Sequence, residues 1–207
     1  LTGYDTFGYV FFQTLILDQK GNMILLTRAP DLRQAQNTSN IEDIRIWVDK
    51  DKSNPTNDLK IILDELNLKG KKIGIEYEAY GLTGKNALKL NETLENYCVI
   101  EDKSTLITKL RVTKSKEEIT YVRKAAELGD KALDQVWKYA KAGVSESKIL
   151  AEMQRVIFEG DGDYPANEFI IGSGHNALLC RYQAEKRILS KNDQLSIEWA
   201  GAYKHYH

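Results

Sequence analysis

Three short stretches hold the side chains best placed to do chemistry. Gly172-Ser173-Gly174-His175-Asn176 could offer successive backbone N–H groups to an anion, with His175 and Asn176 beside it. It lacks the spacing of a P-loop or dinucleotide fingerprint and reads equally as a turn. Next, Leu178-Leu179-Cys180-Arg181-Tyr182 sets a guanidinium in apolar company, so Arg181 is expected to be partly buried. It could clamp a substrate carboxylate bidentately, or pair with a carboxylate of the protein. Cys180 beside it reads as a small packed apolar residue, since no Cys-His-Asn order accompanies it. Finally, Glu198 between Ile197 and Trp199 reads as buried, and a buried carboxylate must be paired, protonated or metal-bound. Arg181 and Arg187 are its candidate partners. Downstream, His205 and His207 in the alternating run Tyr203–His207 would share one face of a strand, as metal ligands, as a general base, or as a solvent-exposed pair.

The elements that must position these groups fall into two sets. Apolar runs at 9–17 and 23–27, joined by Asp18-Gln19-Lys20-Gly21-Asn22, predict a β-hairpin, and residues 44–48 a further strand. Leu59, Ile62, Leu63 and Leu66 predict a helix over 57–68, followed by a strand at 72–76, a helix over 83–94 and a strand at 98–100. Tyr4, Tyr9 and Trp47 are expected in the core. This order predicts an α/β domain with a mixed sheet over residues 1–112. A seam near 108–115 precedes Ser115-Lys116-Glu117-Glu118, a capping box that opens a long helix ending at Ala142-Gly143. Ser145 caps a second helix, which Gly160-Asp161-Gly162-Asp163 ends. Strands at 169–171, 194–200 and 203–207 then complete an α+β domain over residues 113–207.

Composition narrows the setting. The 207 residues hold 29 Lys+Arg against 30 Asp+Glu, a net charge of −1, so no field draws the chain to nucleic acid or to an anionic membrane. No run approaches the ~18 apolar residues of a transmembrane helix. Two cysteines make neither a zinc site nor a disulfide framework, which fits a reducing cytoplasm. The start at Leu1 and the stop inside an alternating run predict an internal piece of a longer polypeptide.

Five motifs occur in a telling order: Leu1-Thr2-Gly3-Tyr4, Lys114-Ser115-Lys116-Glu117-Glu118-Ile119, Gly143-Val144-Ser145-Glu146, Ser173-Gly174-His175-Asn176-Ala177, and Glu198-Trp199-Ala200-Gly201-Ala202-Tyr203-Lys204-His205-Tyr206. Together they make the chain resemble the creatinase/prolidase/aminopeptidase P family along nearly its whole length. The resemblance implies an N-terminal α/β domain lacking its start, then the first half of a pita-bread catalytic domain, in a homodimer when full length. It also implies a hydrolase of a small C–N bond, such as that of an Xaa-Pro dipeptide, in which two divalent ions (Mn, Co or Zn) activate a bridging water.

Two positions depart from the metal-dependent pattern. Glu198 stands where that pattern has an Asp ligand, and its second Asp would fall at position 209, with a His and two Glu further on. Arg181 stands where a substrate-facing His is usual, and Arg cannot shuttle a proton. The family's metal-free members, of creatinase or ectoine-hydrolase type, are therefore an alternative that needs no cofactor. In that alternative His207 is the base, with His205 near it, and Arg181 grips a carboxylate. In either reading Arg181, His175 and Asn176 are the candidates to bind substrate, and Glu198 is the candidate metal ligand of the metal-dependent one. A non-catalytic binding module of the same fold is a third reading.

Overall fold

The computed structural model describes residues 2–179, 181, 184 and 187–207. The expectation for Cys180 lies outside them. The chain divides into two units, Leu1–Val112 and Thr113–His207, at the seam marked by the capping box.

In the first unit, strand β1 (Thr14–Leu17) runs antiparallel to β2 (Met23–Arg28). Between them Asp18 Oδ1 accepts from the backbone N–H groups of Lys20 (2.8 Å) and Asn22 (2.9 Å), which shapes the turn. Ile24, Leu25, Leu26 and Thr27 of β2 are all buried, as expected of a central strand covered on both faces. Helix α1 (Leu32–Thr38) crosses to β3 (Asp43–Trp47), which pairs parallel to β2, so this sheet is mixed. Helix α2 (Pro55–Glu65) follows. Strands β4 (Lys72–Ile75) and β5 (Val99–Asp102) flank helix α3 (Gly84–Leu94) and pair parallel with each other as a separate sheet, rather than extending the first. Helix α4 (Leu106–Val112) closes the unit.

Leu26 and Trp47 form one core with Leu59, Ile62 and Leu63 of α2 and Leu90 and Leu94 of α3. The Trp47 indole N–H donates to the Phe12 carbonyl at 3.0 Å, satisfying its one polar atom. Tyr9, expected in the core, is instead 60% exposed, because β1 begins only at Thr14 and the segment before it carries no ladder. Tyr97 is buried, and burial together with its bond to Asp64 pushes the phenol up to about 12.

In the second unit, helix α5 (Lys116–Tyr139) opens with the complete capping box. Ser115 Oγ accepts from Glu118 N–H at 3.2 Å, and Glu118 Oε2 accepts from Ser115 N–H at 2.6 Å. Helix α6 (Glu146–Glu159) packs on it, burying Leu128, Ala132 and Val136 against Ile149, Met153 and Ile157. Strands β6 (Ile170–Ser173) and β7 (Leu195–Glu198) pair antiparallel, with Ile170 opposite Glu198, and bury Ile171 toward the same core.

The expected third strand, Tyr203–His207, is a tight turn. Tyr203 and Tyr206 exchange backbone hydrogen bonds (2.8 and 3.0 Å) around Lys204 (φ +50°) and His205 (φ +64°). Two central residues at positive φ make a two-residue reversal, so the alternation of side chains across a strand does not apply. Among the described residues no helix is long and apolar enough to cross a membrane.

Candidate active site

The segment after β7 is held against α5 by a backbone-to-backbone approach. Gly129 sits in the middle of α5, where glycine costs about 1 kcal/mol relative to alanine. The Trp199 indole N–H donates to the Gly129 carbonyl at 3.0 Å. Gly201 passes so close that a Cβ there would strike the Ala125 carbonyl oxygen and lie 2.6 Å from Gly129 N. These contacts fix the direction in which the chain leaves Glu198.

The tight turn that follows is pinned twice. The Tyr206 hydroxyl donates to Glu118 Oε1 at 2.7 Å, and Asp163 Oδ2 accepts from the His205 backbone N–H at 2.9 Å. Tyr121 of α5 packs its ring against both Tyr203 and Tyr206. Glu118 therefore serves the helix cap and the turn at once. The Ser115 N–H, then the Tyr206 hydroxyl, hold its carboxyl below the ordinary range. A carboxyl with a lowered folded value contributes above its unfolded pKa and loses that contribution as pH falls through the folded one. Tyr206→Phe should thus lower Tm at pH 6, and the gap from the parent should narrow and vanish as pH falls well below about 4. Thermal scans of both proteins across that range check it, and a gap independent of pH would contradict it.

Glu198, Trp199, Ala200 and His207 line a cleft of about 310 Å³ with Pro165, Ala166, Asn167 and Glu168. Glu198 is not buried as its apolar neighbours imply: its side chain is 63% exposed, because the end of β7 faces this cleft instead of the core. Arg181 is likewise exposed rather than partly buried, at 79%, with its guanidinium 3.7 Å from Glu198 Oε1. Of the two candidate partners for Glu198, Arg181 is the one found there. Arg187 instead forks onto both oxygens of Asp193 at 2.9 and 2.8 Å.

His207 accepts a hydrogen bond at Nε2 from the Ala166 N–H at 3.0 Å, which places the proton of the neutral ring on Nδ1 and engages the other lone pair. His205 is exposed on the turn and is not among the residues lining the cleft. The two histidines therefore do not share a strand face. His175 and Asn176 sit in a 3-10 turn, Gly174–Leu178, that leaves β6 and packs on β6 and β7.

The structure thus brings Glu198 and His207 to one cleft, with Arg181 beside Glu198 but not among the lining residues. Sequence reasoning had no signal for Ala166, Asn167 and Glu168 as cleft residues, since they lie in an irregular segment with no motif. Among the described residues no group of three His, Cys, Asp or Glu side chains converges as a metal site. Glu198, at the position where the metal-dependent pattern has its first carboxylate, faces the Arg181 guanidinium at 3.7 Å.

Two family models account for the chain from end to end. The creatinase/prolidase N-terminal domain matches residues 1–155, and metallopeptidase family M24 matches residues 120–207. The chain belongs to the creatinase/prolidase family. Among its relatives in that family, ectoine hydrolase of Halomonas elongata is 25% identical over 100% of this chain and 56% of its own length. The Xaa-Pro dipeptidase of Pyrococcus furiosus is 26% identical over 62% of this chain and 38% of its own. The chain spans about half the length of the curated relatives it matches over its whole extent.

Solved structures in the family agree in fold. The X-Pro aminopeptidase of Thermotoga maritima superposes with a TM-score of 0.80 at 19% identity, over 98% of this chain and 52% of that one. The prolidase of Thermococcus sibiricus gives 0.81 at 23% identity, over 99% and 54%. At these identities the likeness establishes fold alone: an α/β unit with a mixed sheet, followed by the pita-bread architecture of creatinase/prolidase enzymes.

Proposed function

We propose that the whole protein hydrolyses a small C–N bond of the Xaa-Pro dipeptide type, and that this chain contributes substrate recognition to the reaction. The observation that carries the reading is Arg181, an exposed guanidinium 3.7 Å from Glu198, which itself lines the cleft. A free dipeptide ends in a carboxylate, which a guanidinium binds with two parallel hydrogen bonds. In that role Arg181 exchanges Glu198 for the substrate, leaving the Glu198 carboxylate facing the scissile region. His175 and Asn176, on the 3-10 turn that packs on β6 and β7, are further substrate contacts in this reading. The relatives named for Xaa-Pro dipeptidase activity support the bond type.

Arg181→Ala tests this directly. In the protein expressed in full, it should raise KM for an Xaa-Pro dipeptide about 10-fold or more with kcat little changed. Replacing the substrate carboxylate by a carboxamide should cost the parent a similar factor and the variant almost nothing. An unchanged KM would leave Arg181 as a surface ion pair only.

A second reading has its own support. A cation beside the carboxylate expected to bind metal is better suited to a metal-free hydrolase of a small amide or amidine compound, and the match to ectoine hydrolase spans the whole chain. Turnover of such a compound, undiminished by chelator and without turnover of Xaa-Pro dipeptides, would favour it.

A further inference from the structure

Glu146 is the one charged side chain among the described residues with no exposure at all. It begins α6, directly after the Ser145 cap. Its Oε1 accepts from both the backbone N–H (2.8 Å) and the hydroxyl (2.7 Å) of Ser173, itself fully buried at the end of β6. Its Oε2 has no hydrogen-bond partner among the described residues. Burying a carboxyl with half its accepting capacity unused works against stability, and an apolar residue of similar size would be cheaper for the fold. The helix N-terminus offsets only part of that cost.

The geometry shows what the carboxyl does instead. Ser173 is the last residue before the 3-10 turn that carries His175 and Asn176. Glu146 takes its N–H and its hydroxyl, while Arg187 Nε donates to its carbonyl at 3.1 Å. Arg187 is held in turn by Asp193, and the Glu146 N–H donates to the Arg187 carbonyl at 2.9 Å. Gly174 follows at φ +58°, and a Cβ there would collide with the Arg187 guanidinium. Every polar group of Ser173 is therefore engaged from one side by a buried acid and from the other by an oriented base. We infer that Glu146 is a positioning residue, which acts through Ser173 to hold the 174–178 turn in the one orientation that presents His175 and Asn176 to substrate. The link to substrate rests on the function proposed above; the link to the turn does not.

Hydrogen exchange and kinetics on the protein expressed in full separate the two. In Glu146→Ala, amides of 173–179 should exchange at least 10-fold faster while those in the middle of α5 and α6 keep the parent rate. Ser173→Ala, a smaller change that spares the buried carboxyl, should act in the same direction and serves if Glu146→Ala does not fold. Glu146→Gln keeps an acceptor for Ser173, so it should restore most of the protection. With an Xaa-Pro dipeptide, Glu146→Ala should raise KM about 10-fold, and Glu146→Gln should recover it. Unchanged exchange at 173–179, or acceleration spread evenly over the second unit, would overturn the positioning role. If the parent protein turns over no Xaa-Pro dipeptide, the functional reading falls and the exchange pattern still decides whether Glu146 sets the turn.

Discussion

Gly201→Ala should destabilise the second unit by about 3 kcal/mol or more, at the upper end of what overpacking costs. The added methyl meets backbone on two sides, the Ala125 carbonyl oxygen and Gly129 N at 2.6 Å, and neither can rotate away as a side chain would. Relief requires α5 and the segment after β7 to separate, which would also stretch the Trp199–Gly129 bond. For a unit of this size the loss corresponds to a fall in Tm of roughly 10–20 °C. Gly129→Ala is the instructive comparison, because a methyl there would meet Gly201 N at 3.4 Å, and alanine is the better helix former. That variant should come within about 1 kcal/mol of the parent. Differential scanning calorimetry of both decides the matter, and a Gly201→Ala protein melting with the parent would show that this approach carries no strain.

Glu198→Gln should have the opposite profile. Its side chain is mostly exposed, and the contact with Arg181 is a long surface pair, so the change in stability should stay within about 1 kcal/mol. If Glu198 faces the reacting bond as general base for the attacking water, kcat/KM should nevertheless fall by about 10²-fold or more, the usual effect of removing such a base. Glu198→Asp keeps the charge on a shorter arm and should retain more activity than Glu198→Gln. Steady-state kinetics beside thermal melts read both effects from one preparation. Loss of stability with activity intact would return Glu198 to a structural role.

The long-range plan of the chain was legible because its signals are local and strong. Ser115 and Glu118 mark the start of α5, and Ser145 and Gly160 bracket α6; each cap lies where the residues placed it. Strand β2 was visible as an unbroken apolar run because both its faces are covered. Short helices α1 and α4 escaped notice. Each has seven residues, and together they bury only Ala35, so no periodic stripe announces them.

The site was harder to read, for two physical reasons. Tyr203–Tyr206 reverses at Lys204 and His205, residue types that rarely adopt positive φ, with no Gly, Asn or Asp to signal the turn. Glu198 follows apolar residues in sequence, but at the end of a four-residue strand its side chain looks into the cleft. Glu146 gave the least warning of all. An acid in the first turn of a helix is ordinary, and only the packing of Ser173 onto it shows that it is buried.

The activity proposed for the whole protein is cleavage of the bond before proline in a small substrate. Release of free proline from a set of Xaa-Pro dipeptides, measured with the protein expressed in full and repeated with chelator and with added Mn, Co or Zn, tests it most directly. We expect saturable release, and cleavage about 10-fold less efficient, followed as prolinamide, for substrates whose carboxylate is amidated. No proline release under any of these conditions, from a protein shown to be folded, would contradict the account.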